Sequence, residues 1–160
     1  MRTRALFGAI VASAVATAGV AAESVPRDYL VLRPVVEAAQ ARRTTCTRYV
    51  RVDVCYDPEE VLLDLRHVVA DSARIEEDQW PEPGAGFTVF VTLTAEGKRI
   101  IQGWSSENLG RRLAIFVKAE LKHAPVLNGP LSGDPLIVGF CSERSEAESM
   151  LAAIRKGGSR

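Results

Sequence analysis

Few side chains in this sequence could do chemistry. The 160 residues include only two histidines, His67 and His123, and three cysteines, Cys46, Cys55 and Cys141. Histidine is the usual general base and the commonest metal ligand, so two of them leave few ways to build either site. His67 lies in Leu-Arg-His-Val-Val, the setting of a packed or solvent-facing ring, and His123 borders a Pro-rich stretch as a loop-edge cation. There is no His-Glu-x-x-His, no Gly-x-Ser-x-Gly and no phosphate loop ending in Gly-Lys-Ser/Thr. Gly103-Trp-Ser-Ser-Glu approximates a nucleophile elbow, but its second glycine is missing and it falls within a helical pattern. The carboxylates Glu59, Glu60, Glu76, Glu77 and Asp78 come in runs, as on solvated faces, and Asp134 and Glu120 have no spacing that assigns them a role. The pattern reads as non-catalytic, with no cofactor and no metal site.

What the cysteines can do depends on compartment. Arg2 and Arg4 precede an apolar run, and Val20-Ala21-Ala22 offers small residues for a signal peptidase, so residues 1–22 read as a signal peptide cleaved after Ala22. The alternative is an uncleaved anchor, but the run from Ala5 to Ala22 is 18 residues with two glycines, marginal for crossing ~30 Å of hydrocarbon. No later stretch is long and apolar enough to span a membrane. In an exported chain three cysteines imply one disulfide and one leftover thiol. Val50, Val52 and Val54 alternate with Arg51 and Asp53, so residues 48–56 read as a half-buried strand. Along one straight strand Cys46 and Cys55 would lie about 30 Å apart, beyond bonding range. Cys55 with Cys141 is then the preferred pair, against an alternative of three free or variably oxidised thiols. Without Cys-x-x-Cys there is no redox motif.

Residues 23–160 carry 18 basic and 20 acidic residues, which opposes non-specific nucleic-acid binding because that requires clustered Lys and Arg. Residues 23–47 show no sustained period and read as an N-terminal arm, with a short helix near Val35–Ala41 as one option. Asp57-Pro58-Glu59-Glu60 has the form of a helix start, with Val61, Leu62, Leu65, Val68 and Val69 on one face. Residues 73–77 suit a short strand and residues 80–86 a loop. Phe87 to Thr94 is rich in aromatic and β-branched residues and reads as a strand. Thr94 then caps a helix bearing Ile100, Ile101 and Trp104, with Gly97 permitting close approach and Asn108 and Gly110 ending it. Leu113–Val117 and Leu136–Phe140 are further strands. The last helix, capped at Ser142 or Ser145 with a Ser145-to-Glu148 capping box, carries Ala147, Met150, Leu151 and Ile154. Between them, residues 124–135 hold three prolines and two glycines and suit an irregular surface segment.

This order of signals resembles the head subdomain of the first periplasmic domain of SecD and SecDF. The resemblance rests on Leu93, Thr94, Glu96 and Gly97, then Asn108, Gly110, Arg112 and Leu113-Ala114-Ile115. It continues through Ala124-Pro125-Val126, Gly133, Ile137, Gly139-Phe140, Glu146-Ala147 and Leu151. It covers residues 73–157, with 48–72 a weaker extension. Lys118-Ala119-Glu120 stands where the family has an Asp-Gly turn, which implies a longer or differently shaped hairpin tip. The family favours loop or extended chain where a helix from Pro58 is read here. The chain also lacks SecD's transmembrane helices, and so lacks the part thought to use the proton gradient.

The resemblance implies an α+β fold, a mostly antiparallel sheet with two helices on one face, spanning 48–158. It also implies a periplasmic location and a loose link to protein export, through contact with a polypeptide or envelope protein such as translocase components. The expected function is a non-catalytic protein- or peptide-interaction module. The alternative is a small-molecule-binding or hydrolytic envelope protein on the same fold, since fold alone does not decide. The candidate contact surface is the Pro/Gly-rich segment and its neighbour: His123, Pro125, Leu127, Asn128, Pro130 and Leu131.

Overall fold

The computed structural model describes residues 29–36, 43–77 and 86–158. Residues 1–22, read as a signal peptide, residues 37–41 of the optional short helix and most of the 80–86 loop lie outside them.

The elements run β1 (Leu30–Pro34), β2 (Thr45–Tyr49), β3 (Val52–Tyr56), β4 (Leu63–Asp64), two 3₁₀ turns (Leu65–His67, Ala70–Ser72), β5 (Arg74–Glu77) and β6 (Phe87–Val91). They continue with α1 (Ala95–Glu107), β7 (Leu113–Val117), β8 (Glu120–His123), β9 (Leu136–Cys141) and α2 (Arg144–Gly158). The fold is α+β with antiparallel pairing throughout, in sheets ordered β4-β1-β7-β8, β2-β3 and β5-β6-β9.

β7 shows why the sheet needs two covers. All five of its residues are buried, although successive strand side chains point to opposite faces. Leu113, Ile115 and Val117 enter the principal core with Leu30 and Leu32 of β1, Val89 and Val91 of β6, Ile101 of α1 and Ala147, Met150 and Ile154 of α2. Ala114 and Phe116 face the other way, against Val54 on β3 and the rings of Tyr49 and Tyr56, with the Tyr56 and Phe116 centroids 4.6 Å apart. The β2–β3 hairpin is thus a lid on the second face.

β1 was not expected. Residues 30–34, read as part of an arm, sit between β4 and β7, with Leu32 opposite Ile115 and Leu63. Its presence removes the helix read from Pro58. The Leu62 amide donates to the Leu32 carbonyl at 2.9 Å. Arg33 Nη1 donates to the carbonyls of Pro58 and Glu60 at 2.6 and 2.9 Å. Backbone groups that a helix would pair internally are taken by β1. Asp57–Glu60 becomes a turn in which Asp57 Oδ1 accepts from the Glu59 amide at 2.8 Å. The apolar residues split accordingly: Leu65 and Val68 are buried, whereas Val61 and Val69 are exposed.

The strand read over residues 48–56 is a hairpin, reversing at Val50–Arg51, with Cys46 and Cys55 as directly opposed partners. They form a disulfide, Cα–Cα 4.0 Å, and Cys141 is a buried free thiol. The preferred Cys55–Cys141 pair is therefore corrected: a turn with no glycine or asparagine gave no signal, and the straight-strand separation did not apply.

Some other local signals hold and some do not. Thr94 Oγ1 accepts from the Gly97 amide at 3.2 Å, and a Cβ on Gly97 would meet the His67 carbonyl oxygen at 2.8 Å. Gly110 takes the left-handed conformation, φ +80°, while Asn108 stays outside it and caps through its side chain, Nδ2 donating to the Trp104 carbonyl at 2.8 Å. The tip at Lys118–Ala119 is a two-residue reversal with both φ positive, 52° and 61°, the geometry an Asp-Gly pair favours. α2 begins at Arg144, and Ser145 lies inside its first turn with its hydroxyl on Glu143 Oε2 at 3.3 Å, so the Ser145 capping box is absent.

Candidate functional site

The segment 124–135 is held by the chain around α1's end and the entry to β7. The Leu113 amide donates to the Pro125 carbonyl, the Leu127 amide to the Arg111 carbonyl and the Gly110 amide to the Leu127 carbonyl, at 3.1, 2.8 and 2.8 Å. Arg112 Nη1 donates to the Ala124 carbonyl at 2.7 Å. This lays residues 124–127 along the chain entering β7 and turns Leu127 into the core, 2% exposed. Leu131 is half-buried against the same core. Its amide donates at 2.9 Å to Ser105 Oγ, which is fully buried and donates in turn to the Gln102 carbonyl. Ser105, the nucleophile of the apparent elbow, is therefore a bracket between α1 and this segment.

The six expected surface residues do not form one surface. Asn128 and Pro130 are exposed, Pro125 is half-buried, Leu127 is core, and His123 lies on β8 in a different neighbourhood. Leu127 was misplaced because an apolar residue in a Pro/Gly-rich stretch gives no periodicity from which to infer burial. Asp134, unassigned from sequence, joins Lys98 Nζ at 2.8 Å and Thr92 Oγ1 at 3.0 Å. Those hydrogen bonds, Lys98's foremost, hold its carboxyl below the usual carboxylate range. His67 belongs to the first 3₁₀ turn, where the Asp64 amide donates to its Nδ1 at 3.2 Å and Asp64 Oδ1 accepts from the Arg66 amide. Among the described residues no three His, Cys, Asp or Glu side chains are grouped to hold a metal ion. No described helix is long and apolar enough to cross a membrane.

His123 anchors a different arrangement. Its ring meets Phe140 of β9 edge-on at 5.0 Å and Tyr49 of β2 at 6.4 Å. Tyr49 Oη and His123 Nδ1 are hydrogen-bonded at 3.2 Å, the phenol donating when Nδ1 carries no proton. Burial pushes the His123 pKa below its ordinary value, so the neutral ring is favoured. Across the hairpin Tyr49 is paired with Val52, and Val50 forms the tip, 80% exposed, at φ 55°. Positive φ is a genuine outlier for a β-branched side chain. Phe140 is 41% and Val52 38% exposed. Phe140, His123 and Tyr49 thus form a line of ring contacts from β9 to the hairpin, where Val52 is paired with Tyr49 and Val50 stands exposed at the tip. It offers apolar contact and one hydrogen-bonding imidazole, with no nucleophile beside a base. Sequence reading found His123 but missed its companions. Only the hairpin reversal, which carries no turn residue, brings Tyr49, Val50 and Val52 to it.

Comparison with known proteins bears on this scaffold. Residues 50–158 match the family model described as SecDF, P1 head subdomain. The protein translocase subunit SecDF of Thermus thermophilus is 29% identical over 85 residues, covering 53% of this chain and 11% of that protein. The protein translocase subunit SecD of Treponema pallidum is 32% identical over 98 residues, covering 61% of this chain and 15% of that protein. Among solved structures, a SecDF described as a membrane component that enhances protein export superposes with TM-score 0.61 at 24% identity, covering 80% of this chain and 62% of that one. SecDF in its super-membrane-facing form gives 0.60 at 23% identity, over 80% of this chain and 18% of that one. The solved structures establish likeness of fold, and the chain spans only a small part of its curated relatives.

Proposed function

The chain belongs to the SecDF P1 head subdomain family, and from that premise we propose that it is a periplasmic, non-catalytic module that contacts polypeptide chains in connection with protein export. The observation that carries this reading is the band from Phe140 through His123 and Tyr49 to Val52 and Val50. Exposed, contiguous apolar residues rimmed by polar ones are the usual mark of a protein-binding surface. Backbone strain at an exposed residue such as Val50 tends to persist where function holds it. Arg51, at the tip, and Arg48, paired with Asp53 at 2.9 Å, supply the polar rim. The relatives named as translocase subunits suggest the partner class: exported chains or translocase components. Of the six residues read from sequence, His123 remains central to the contact surface. Asn128, Pro130 and the half-buried Pro125 lie outside this band, and Leu127 and Leu131 pack against the core.

The test is a cross-linking pull-down of tagged protein from its native envelope, read by mass spectrometry, alongside a Val50→Asp/Phe140→Ser variant. The expected result is enrichment of several unrelated exported proteins or of translocase subunits, lost in the variant while its melting temperature is kept. Undiminished capture by a folded variant would remove the band from the proposal. Capture of nothing above background by the wild type would defeat the polypeptide reading and favour a small ligand.

A further inference from the structure

We propose that Asn128-Gly129 is a site of spontaneous deamidation, at which the chain converts its own exposed asparagine to aspartate and isoaspartate. The site lies apart from the aromatic band and does not depend on the polypeptide reading.

The pair is not required by the local fold. Asn-Gly ordinarily marks a turn whose central residues take positive φ, yet neither residue does so here. The β7–β8 tip, which has that geometry, is built from Lys118 and Ala119 instead. A Cβ on Gly129 would meet nothing within 4 Å, so packing does not demand glycine either. Asn128 is exposed, and both residues lie outside every helix and strand. Neither the Asn128 side chain nor the Gly129 amide has a hydrogen-bond partner among the described residues. The two groups that must react are therefore uncommitted.

Glycine leaves the approach of its own amide nitrogen to the preceding side chain unobstructed. Base removes the Gly129 amide proton, and the nitrogen bonds to Asn128 Cγ. The Cγ–Nδ2 bond breaks and Nδ2 leaves as ammonia, giving a cyclic imide that water then opens. Cleavage of the new Cγ–N bond yields aspartate. Cleavage at the main-chain carbonyl yields isoaspartate, whose backbone runs through Cβ. One water is consumed, one ammonia is released, and nothing is oxidised or reduced.

The chain carries its own control. Asn108 is the only other asparagine, and its side chain is held at both ends. Nδ2 donates to the Trp104 carbonyl at 2.8 Å, and Oδ1 accepts from Arg111 Nη1 at 2.7 Å. Leu109, not glycine, follows it.

The two products differ in what the fold can accept. Leu127 is anchored by backbone bonds with Arg111 and Gly110, both 2.8 Å, and Leu131 by its amide on Ser105 Oγ at 2.9 Å. Aspartate keeps the backbone spacing between these anchors. Its charge falls next to Leu127, on the strip of chain bonded to Arg111, which has no carboxylate partner among the described residues. Isoaspartate adds a methylene to the main chain between the anchors and must displace one of them.

The experiment is incubation of the protein in mildly alkaline buffer, then proteolysis and fragmentation mass spectrometry that separates aspartate from isoaspartate. Acid should accumulate at residue 128, chiefly as isoaspartate, while Asn108 keeps its amide. Gly129→Ala should slow the conversion roughly tenfold or more at an unchanged melting temperature. Asn128→Gln, which would need a larger ring, should keep its amide over the same period. Retention of both asparagines, equal loss at 108 and 128, or an unslowed Gly129→Ala variant overturns the proposal. Amide exchange at Leu127 and Leu131 reads the consequence. Asn128→Asp should match the wild type, and the isoaspartate form should exchange faster at one of the two anchors. Identical exchange in both forms would overturn the inferred displacement.

Discussion

On one face of the four-stranded sheet, Leu30, Leu32, Leu113, Ile115 and Val117 meet both helices and the three-stranded sheet. On the other, Ala114 and Phe116 meet only the β2–β3 hairpin and the few residues beside it. The first face is held by interlocking side chains from every part of the chain. The second is held by a two-stranded ribbon, a structure marginal by itself in water, reinforced by the Cys46–Cys55 bond and the Tyr56–Phe116 contact. The exposed aromatic band lies on this second, thinly covered side. Burial and exposed apolar surface are thus segregated: the helix side holds the larger core, and the hairpin side carries the exposed aromatic band.

Core truncation should show the asymmetry most strongly. Ile115→Ala, at a position 1% exposed in the principal core, should cost about 3–4 kcal/mol of unfolding free energy, the transfer and cavity terms together. Val54→Ala, fully buried on the inner face of the hairpin, should cost about 1–2 kcal/mol because less surface is lost and the ribbon can settle. Urea unfolding measures both. Equal losses would mean that the hairpin side is as integral as the helix side, and the segregation would fail.

The disulfide tests the same contrast at intermediate size. Its cysteines are nine residues apart, for which loop-closure entropy gives about 2.5 kcal/mol as the upper range. Cys46→Ser/Cys55→Ser should lose up to that amount, and amide exchange should rise across residues 45–56 while α1, β6 and β9 keep their protection. Loss of protection everywhere would make the clamp a condition of the whole fold. Cys141, buried with its thiol pKa raised by that burial, should resist alkylation in the native state of both proteins.

The same division governs what was legible in the sequence. On the helix side the signals are local: Thr94 caps α1, Gly97 and Gly110 meet needs that a Cβ would obstruct or strain, and β7 is an apolar run between turns. Each can be read within a few residues, and each is present. On the hairpin side the determinants are distant or unmarked. β1 is strand because β4 and β7 pair with it from about 30 and 80 residues further on. Val50–Arg51 reverses the chain without a turn residue, so the cysteines looked too far apart and the band's members looked unrelated. Asp57–Glu60 carries every local mark of a helix start, yet Arg33 and Leu32 claim its carbonyls and the following amide. Propensity yields where a tertiary partner offers the same backbone groups more.

The smallest expected effect concerns His123, and it sharpens the comparison because it reports on the seam between the two sides. The residue stands on β8 opposite Ile115 of β7, with Tyr49 of the hairpin on one side and Phe140 of β9 on the other. None of these neighbours carries a charge at neutral pH. Burial lowers its pKa in the folded state, so over the interval below its ordinary value the unfolded chain binds a proton that the native protein does not. Stability is then fully present above about pH 6.5, the unperturbed histidine value, and declines as the pH falls towards the folded pKa. His123→Gln should flatten that part of the unfolding free energy against pH, leaving the steeper loss at lower pH, where Asp134 and Asp64 also carry lowered pKa values, unchanged. The tyrosine hydrogen bond should persist through that interval and be lost only at lower pH, where the native ring itself protonates and Nδ1 can no longer accept from Tyr49. If the wild type and the variant share one pH profile between 7.5 and 5, His123 is solvated as freely in the native protein as in the unfolded chain. The hairpin would then cover less of this seam than the ring contacts imply.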